Sequence, residues 1–569
     1  MVMKKLLLIS GLLFSINSIG QNPLAIPDTL SGTSFSLSLH KDSVQFLPGK
    51  KTNTYGINSN HYQGPTLIWR KNDSLNITVN NNIGDTTTVH WHGMHVAAKN
   101  DGGPHTMIYD GSSWNPKFKI RNKAATYWYH SHMMGKTAKQ ALMGIAGLII
   151  VRDSEETVLN LPRKYSVDDF PIIVQCGELD SLHQIMPRGM QDSILLVNGT
   201  INPFVHMPAQ VVRLRLLNAS GERTFNFGFS GSKTFSVIGN DDGLLPAPVS
   251  STRIRLSPGE RAEILLNMTG MTGQTIYLMS YASELPMGIQ GGPTMPMPSW
   301  APPMNSPLNG IDFNILKIII DTAITSPITT IASSLVPDTA YPESSAYITR
   351  RIYISGDSAM VMDGPFYFND SLFNMDRIDY TIPINHTEIW KVVNNTMVAH
   401  PFHIHDEHFY ILDRHGVAPD NIEKGKKDVI LVPPYDSARF IVRFTDFADS
   451  TTPFMYHCHI LMHEDDGMMG QFLVVNGPVG VTKIENNACM KVSVYPNPAN
   501  AYWNITVYTN GQTLLAEVYN IIGRCVYSNS IPKTNNTFSF QINNELMSNG
   551  MYFLKLSDGN ISSIVHLIK

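Results

Sequence analysis

The sequence predicts an all-β protein built from several β-sandwich domains. Short runs of strand-like composition are separated by turns rich in Gly, Pro, Asn and Asp, and helical periodicity is scarce. The length of 569 residues suggests three to four domains, at about 150 residues each. The clearest strand-like runs are residues 74–80, 147–152, 211–217, 261–268, 352–355 and 440–444.

Changes in composition divide the chain into successive segments. Residues 1–20 have the pattern of a signal peptide, because Lys4 and Lys5 precede a short apolar run, and Ser18 and Gly20 offer small residues for cleavage. No later apolar run is long enough to predict a transmembrane segment. The predicted domains are residues 21–155, 160–325 and 344–476, followed by a linker at 477–489 and a small terminal unit at 490–569.

Charge and cysteine content narrow the function classes. The net charge of -4 and the pI near 6.6, with no Lys/Arg-rich run, argue against a nucleic-acid partner. Exported proteins often contain disulfides, yet the four cysteines form no evident disulfide framework. Cys458 lies inside a histidine cluster, which favours a metal ligand over a disulfide.

Histidines provide the strongest signal. Alternate residues of a strand point to one face about 6.6 Å apart, so an H-x-H pair suits two neighbouring metals, with one imidazole on each. A single pair is commonplace, but four pairs on converging faces supply enough imidazoles for three metals. Zinc is the rival metal, although zinc sites favour closed sets of four ligands. The four H-x-H pairs are His90/His92, His130/His132, His403/His405 and His457/His459.

Cys458 indicates a second, separate metal site. It lies between His457 and His459, so in an extended chain its thiol points to the opposite face. His400 and His463 complete a His₂Cys set, and Met468 can supply a weak axial thioether. This set is typical of blue-copper electron-transfer sites. The sequence therefore predicts an electron-entry copper one residue from a three-metal cluster.

Together these residues closely resemble the multicopper oxidase family, which includes laccases, bilirubin oxidases and bacterial copper-efflux oxidases. The resemblance spans roughly residues 40–476 and includes four further stretches, 101–104, 143–147, 213–218 and 256–261. It implies three cupredoxin-like Greek-key β-sandwich domains, followed here by a small C-terminal β-sandwich domain.

The resemblance also implies the roles of individual residues. The reaction would be one-electron oxidation of a donor at a type-1 copper, with dioxygen as co-substrate reduced to water at a trinuclear cluster. Asp101 and Glu464 resemble the proton-relay acids of the family, whereas a turn Asp and a solvated acidic run are the structural alternatives. The implied ligands of the four copper ions are His400, Cys458, His463 and Met468 for type 1; His90 and His403 for type 2; His92, His130 and His459 for one type-3 ion; and His132, His405 and His457 for the other.

The electron donor is left open between a phenolic or aromatic small molecule and Cu(I). Thioethers suit Cu(I), and the segment 286–307 is rich in methionine, with Met287, Met295, Met297 and Met304. A copper-efflux oxidase would carry Asp and Met four and two residues before His400, where this chain has Thr396 and Val398. Residues 375–379 and 388–390 look more like laccases and bilirubin oxidases.

Two other function classes compete with the oxidase. One is a copper-binding or copper-tolerance surface protein that acts mainly by Cu(I) oxidation or sequestration. The other is a cupredoxin nitrite reductase, which lacks the full set of four H-x-H pairs. The complete ligand set favours the oxidase over both.

The terminal unit resembles the C-terminal sorting domain of the type IX secretion system of Bacteroidetes, through residues 494–499 and 550–555. This implies the type IX secretion machinery as a partner and a secreted or outer-surface location on a Gram-negative bacterium, after signal-peptide removal and cleavage of the tail. A permanent adhesive or carbohydrate-binding module is the rival interpretation. Cys489 and Cys525 are either paired or two free thiols.

Overall fold

The computed structural model describes residues 20–188, 192–294, 306–357, 364–476 and 490–569, with short gaps at 500, 510–512, 522, 533–536 and 560–561. The predicted signal peptide (apart from Gly20), the linker 477–489, Cys489, Met295, Met297 and Met304 lie outside the described residues. The all-β prediction is confirmed, because strands dominate and helices are few and short. The described residues form two compact units, one up to residue 476 and the other from residue 490.

The first sandwich encloses a core that includes Leu37, Leu67 and Trp91. Its sheets mix parallel and antiparallel pairs; Ser34–Val44, for instance, runs parallel to Ser74–Asn82. One sheet has the order Thr29–Ser31, Thr66–Arg70, Ala146–Arg152, Ala125–His130, and the other has the order Thr52–Ile57, Ser34–Val44, Ser74–Asn82, Ser113–Trp114, with Lys117–Lys119 also on Ser74–Asn82.

The second sandwich buries Leu214, Phe227 and Ile264 in its core. The N-terminal strand Asn22–Pro23 pairs with Pro203–Pro208 of this sandwich. The seven-stranded sheet has the order Thr200–Ile201, Ile194–Val197, Asp169–Gly177, Val211–Asn218, Arg261–Asn267, Phe235–Gly239, Leu244–Ser251; the six-stranded sheet has the order Asn22–Pro23, Pro203–Pro208, Phe313–Asp321, Thr275–Ser280, Phe225–Phe229, Ile254–Leu256.

The third sandwich packs Trp390, Phe402 and Phe440 in its core, and Cys458 and Met468 are buried in the same core. One sheet has the order Phe366–Phe368, Ile348–Gly356, Thr387–Asn394, Ser437–Arg443, Tyr410–Arg414, and the other has the order Tyr380–Pro383, Met469–Val475, Phe454–Cys458, His400–Ile404, Val429–Val432.

Helices occupy only short connections. The helix Leu461–Asp465 directly follows the strand Phe454–Cys458 and contacts the helix Thr137–Leu142 of the first sandwich. Among the described residues, no helix has the length and apolar character needed to cross a membrane. The remaining helical segments are Ala98–Asp101, Ser154–Thr157, and the 3₁₀ turns Ser230–Ser232, Ala282–Glu284, Glu343–Ser345 and Asn421–Glu423.

The C-terminal unit is a small β structure with its own core, which includes Trp503, Val518 and Leu554. Burial alternates along Met551–Ser557, as expected for a strand with one face on the core. Cys525 is exposed. One sheet has the order Lys491–Tyr495, Tyr502–Tyr508, Phe538–Asn543, and the other has the order Cys525–Pro532, Thr513–Asn520, Met551–Ser557, Ser562–Ile568.

Candidate metal centres

The four H-x-H pairs converge on one buried cluster between the first and third sandwiches. The pairs lie at strand ends rather than within continuous strands, as expected for a site built where sheets meet. His130 ends the strand Ala125–His130, and His403 lies near the end of His400–Ile404. Within each pair the ring centroids are 5.0 to 6.1 Å apart, which is the spacing that places one imidazole on each of two metals.

Three imidazoles form the first group, through their Nε2 atoms. The Nε2 atom of His132 lies 3.2 Å from that of His405 and 3.1 Å from that of His457, and the last two are 3.2 Å apart. All three rings are buried. Two nitrogens that both lack a proton cannot bond each other, so the convergence of three lone-pair donors is the arrangement expected around a cation.

A second group of three lies beside the first. The Nδ1 atom of His92 is 3.3 Å from the Nε2 atom of His130 and 3.3 Å from the Nε2 atom of His459. His92 thus presents a different ring nitrogen from its two neighbours. The three residues come from two different sandwiches, so this group exists only when the first and third sandwiches meet.

The remaining pair, His90 and His403, links the two groups by ring stacking. His90 stacks on His405 at a centroid distance of 4.0 Å, and His403 stacks on His92 at 3.9 Å. The Nδ1 atom of His90 lies 2.9 Å from the carbonyl of Asp101, and that of His403 lies 2.8 Å from the carbonyl of Asp428.

These two contacts fix the tautomers of His90 and His403. A carbonyl only accepts hydrogen bonds, so Nδ1 must carry the proton and Nε2 is left with a lone pair. Both Nε2 atoms are buried without a hydrogen-bond partner. An orphaned, buried lone pair on each ring is the property expected of a metal ligand.

Burial keeps the imidazoles in their neutral, metal-binding form. It lowers the pKa of His457 to about 3 and holds the pKa of His130 and His403 well below the ordinary value. Neighbouring histidines lower the pKa of His130 further, because two cations would repel at this distance. The donor set therefore fits copper, which favours imidazole nitrogen.

The Cys458 thiol points away from this cluster, into the core of the third sandwich. Its Sγ atom lies 3.6 Å from Nδ1 of His400 and 3.5 Å from Nδ1 of His463. Met468 is buried in the same core, and its carbonyl accepts the backbone N–H of Cys458 at 3.1 Å. Strand alternation thus sends one tripeptide into two sites, as the sequence predicts.

Both predicted acids contact the imidazole cluster. The Oδ2 atom of Asp101 lies 2.7 Å from Nδ1 of His405. The Oε1 atom of Glu464 lies 3.1 Å from Nδ1 of His132, and its Oε2 atom lies 3.3 Å from Nδ1 of His457. Glu464 also accepts a hydrogen bond from the Thr137 hydroxyl at 2.7 Å. Burial raises the pKa of Glu464 well above its ordinary value, so a solvated acidic run does not describe this residue.

The structure adds two residues that sequence reasoning missed. Asp428 lies between Arg261 and the imidazole cluster, with Oδ1 at 3.2 Å from Nε2 of His92. Arg261 ends the stretch 256–261 that resembles the family, but neither Arg261 nor Asp428 lies in a histidine cluster, so the sequence assigns neither of them a role at the metal centre. Thr396, which stands out in the sequence only as a departure from the efflux oxidases, places its hydroxyl 2.9 Å from Nε2 of His400.

A cavity of about 150 Å³ adjoins the Cys458 site. His463 forms part of its wall, together with Val398, Met462, Ile289 and the Arg223 side chain. His463 is buried, at 6% exposure, so this cavity reaches the edge of an otherwise enclosed site.

Known proteins match both units. Three segments, residues 38–156, 181–292 and 349–478, match sequence families described as multicopper oxidase. Residues 493–569 match a family described as secretion system C-terminal sorting domain.

Individual relatives cover most of the chain. A protein named multicopper oxidase mco from Staphylococcus haemolyticus is 31% identical over 476 residues, which cover 81% of this chain and 94% of the relative. A protein named cell division protein FtsP from Xenorhabdus nematophila is 31% identical over 490 residues, covering 83% and 96%. A laccase-like multi-copper oxidase CueO from Ochrobactrum sp., described with oxidase activity towards lignin model compounds and lignosulfonate, has a TM-score of 0.70 at 30% identity, over 80% of this chain and 100% of that one.

Proposed function

The chain belongs to the multicopper oxidase family and is a copper-dependent oxidase, and we propose that it couples one-electron oxidation of a small organic donor to the reduction of dioxygen to water. The observation that carries the proposal is the pairing of two convergent imidazole groups with a separate His₂Cys site, joined through residues 457–459. The family matches also support the three proposed domains at 21–155, 160–325 and 344–476.

The proposal assigns twelve residues to four copper ions. The convergent nitrogens support two type-3 ligand sets, and the orphaned Nε2 atoms of His90 and His403 support the type-2 set. The proposed ligands are His132, His405 and His457; His92, His130 and His459; His90 and His403; and, for type 1, His400, Cys458, His463 and Met468. When bound, the copper ions supply stepwise electron transfer from the donor and four-electron delivery to dioxygen.

Residues 457–459 provide the covalent connection between the two sites. The Cys458 thiol faces one site, and the flanking imidazoles face the other. The route from Sγ to either imidazole therefore runs through a few backbone bonds within buried protein. This short, rigid path keeps the electron-accepting and dioxygen-reducing sites apart while connecting them.

Asp101 and Glu464 are proposed to hold and deliver the protons that water formation requires. Each carboxyl group contacts Nδ1 of a proposed ligand imidazole: Asp101 reaches His405, and Glu464 reaches His132 and His457. The two acids reach the cluster from different helices. Asp101 is the last residue of Ala98–Asp101, and Glu464 lies in Leu461–Asp465. A positioned acid near the reacting centre is the usual solution for such proton transfers.

The cavity beside His463 is the proposed donor site. Its wall combines apolar side chains, such as Ile289 and Val398, with charged groups, which suits a small aromatic molecule with a polar substituent. Thr396 is buried, and its hydroxyl is engaged by Asn394, Val398 and His400. Positions 396 and 398 therefore present neither a carboxylate nor a thioether.

Cu(I) is the second candidate donor, and one observation favours it. Met186 and Met462 line the same cavity, and thioethers are soft ligands that suit Cu(I). In that case the protein would act in copper tolerance, by oxidising or sequestering Cu(I).

The terminal sorting domain indicates export to the cell surface or exterior by the type IX secretion machinery. We propose that the tail is removed on export. Mass spectrometry of the secreted protein tests this, since a mature protein that retains Lys569 contradicts cleavage.

Oxygen uptake tests the function directly. The copper-loaded protein should consume oxygen with a phenolic donor such as 2,6-dimethoxyphenol, and Cu(I) under identical conditions should give a lower kcat/KM. Cys458→Ser is the matched control, because it removes the type-1 thiolate and leaves the eight-imidazole cluster intact. Four bound coppers without oxygen uptake with any donor would falsify the oxidase proposal, and faster uptake with Cu(I) would replace the organic donor.

A further inference from the structure

We infer that Asp428, clamped by Arg261, is a positioning residue that selects which ring nitrogens His92 and His403 present to the trinuclear site. The inference rests on the proposed function, because it concerns the imidazoles assigned above as copper ligands. Asp428 contacts both of them, His92 through its carboxylate and His403 through its backbone carbonyl.

His92 differs from the other imidazoles in its orientation. In the two convergent groups five imidazoles present Nε2 and His92 presents Nδ1, while His90 and His403 hold their orphaned Nε2 atoms. The Nε2 atom of His92 is 3.2 Å from Oδ1 of Asp428. An ionised carboxylate only accepts, so this contact puts the proton on Nε2 and leaves the lone pair on Nδ1.

The same residue fixes His403 in the opposite sense. The carbonyl of Asp428 accepts from Nδ1 at 2.8 Å, so the lone pair of His403 is on Nε2. The two rings stack at 3.9 Å with an interplanar angle of 9°. Asp428 thereby sets two adjacent, parallel rings with opposite nitrogens turned towards the cluster.

Arg261 holds Asp428 in place from the second sandwich. Its NH1 group donates to Oδ1 and its NH2 group donates to Oδ2, both at 2.6 Å. The remaining guanidinium hydrogens reach the carbonyls of Thr126, Gly259 and Asp241. Since the arginine and the carboxylate are both fully buried, this two-point contact fixes the carboxylate plane and makes both of its oxygens acceptors.

Two glycines leave the space that this arrangement needs. A Cβ atom on Gly93 would lie 2.5 Å from Oδ2 of Asp428 and 2.7 Å from NH2 of Arg261. A Cβ atom on Gly259 would lie 2.8 Å from the ring of His459. Both have positive φ, +81° and +86°, which favours glycine. The second sandwich, which contributes no proposed ligand, therefore forms a wall of the trinuclear site.

Substitution of Asp428 tests this role. Asp428→Ala removes the acceptor of His92, whereas Asp428→Asn keeps one carbonyl oxygen that can accept the same hydrogen bond. We expect kcat to fall by about 100-fold in the first and about 10-fold in the second, the range usual for a partner of a metal-ligating histidine. The copper count, the type-2 electron paramagnetic resonance signal and the near-ultraviolet absorption of the type-3 pair should change in the same order.

The type-1 site provides the internal control. The blue absorption and its anaerobic bleaching by the donor should stay as in the unsubstituted protein, since Cys458 and its partners do not contact Asp428. Asp413→Asn is the matched control variant, because Asp413 is another buried Asp of the third sandwich and is paired with an arginine, Arg439, at 2.6 Å. It should leave every copper signal unchanged.

Two outcomes of these measurements would overturn the inference. Asp428→Asn with unchanged type-2 and type-3 signals and unchanged kcat would overturn the inference, even if Asp428→Ala does not fold. Loss of the type-1 absorption in parallel with the other signals would also overturn it, because that pattern reflects general destabilisation. Failure of the proposed function is distinguishable, because it shows in the unsubstituted protein as absent oxygen uptake.

Discussion

Two buried polar clusters lie in the same unit and differ in how their groups are satisfied. In the second sandwich, Arg213 and Arg215 are fully buried and donate to the carboxylates of Glu156, Glu263 and Asp169. In the imidazole cluster, the Nε2 atoms of His90 and His403 have no hydrogen-bond partner, and other lone pairs face one another. The first cluster pairs its charges internally. The second leaves inward-facing lone pairs unsatisfied, although Asp101, Glu464 and Asp428 contact the outer ring nitrogens of His405, His132 and His92.

The pKa values follow this difference. Burial alone raises the pKa of Asp169, but Arg215, Arg213 and Arg152 together hold it well below the ordinary value. Burial lowers the pKa of His130 and His132, and the neighbouring histidines lower it further. Buried charges that are paired with one another belong to the folded structure itself. Buried neutral imidazoles whose lone pairs face one another instead need a bound cation to satisfy those lone pairs.

Removing one imidazole should have the largest effect, and on chemistry rather than on stability. In His132→Ala, one of three convergent Nε2 atoms is lost. Oxygen uptake should fall to background and the near-ultraviolet absorption of the type-3 pair should disappear, while the blue absorption stays. The metal-free variant should lose little stability, because the Nε2 atom of His132 faces the lone pairs of two other imidazoles and only the contact of its Nδ1 atom with Glu464, at 3.1 Å, is lost with the ring. A large loss of metal-free stability would show that the imidazole cluster is also structural.

Removing one arginine of the second sandwich should lower the stability and leave the copper chemistry unchanged. Arg215→Met leaves the carboxylates of Asp169 and Glu263 buried without their main partner, which should cost about 3–5 kcal/mol in unfolding free energy. Copper content and spectra of the folded protein should not change. Arg253→Met is the exposed control, since its partner Glu284 is 44% exposed, and a surface pair contributes about 1 kcal/mol or less. Equal losses in the two variants would contradict the contrast between clusters.

Lowering the pH should reduce the contributions of the two clusters to the unfolding free energy over different pH ranges. Folded His457 and His463 have a pKa of about 3, because burial lowers it, and unfolded histidine titrates near about 6.5. The native state then binds fewer protons, so the unfolding free energy of the metal-free protein should fall as pH drops from about 6.5 towards about 3, by on the order of 2 kcal/mol for each residue by pH 5. The carboxylates of the arginine cluster should lose their contribution only below about pH 4.

Bound copper should reduce the dependence of the unfolding free energy on pH in this range. A bound imidazole lone pair cannot take a proton, so copper-loaded protein should show a much smaller decrease in stability between pH 7 and 5. Thermal or denaturant unfolding of both forms at several pH values measures the difference. Identical pH profiles for the two forms would mean that these imidazoles do not bind copper.

Neutralising one relay acid should have the smallest of these effects. Glu464→Gln keeps the shape and the contact with Thr137 but removes the exchangeable proton, so kcat should fall by about 100-fold. The KM for the donor should stay constant, because the cavity proposed as the donor site lies beside His463. Asp465→Asn is the neighbouring control, since Asp465 accepts from the backbone N–H groups of Thr137 and Ala138 and does not contact the imidazoles. Equal decreases in both variants would argue against a proton role specific to Glu464.

Much of the fold and the ligand set follows from local pattern. The predicted run 211–217 is the strand Val211–Asn218, and 147–152 lies within Ala146–Arg152. Turn residues and alternating polarity specify such strands within a few residues of sequence. The C-terminal unit is likewise predicted from its own short motifs, and its family match confirms it.

The separation of Cys458 from its neighbours was also determined by the sequence alone. Successive side chains of a strand point to opposite faces, so a Cys between two His must serve a different site whatever the partners are. The spacing of two residues in each H-x-H pair similarly favours two neighbouring metals over one. The directions of neighbouring side chains in an extended tripeptide follow from local backbone geometry and can be predicted without the tertiary structure.

Only the tertiary structure decided which nitrogen each imidazole presents and which groups hold it. His92 and Asp428 are 336 residues apart, and Arg261 and Asp428 are 167 apart. A hydrogen bond between such residues depends on how the three sandwiches pack together. A single Asp or Arg forms no repeating pattern from which that contact could be predicted. The sequence therefore determined the set of proposed ligands, because their pattern is local, and the fold decided their orientation, because the groups that orient them are brought together only by packing.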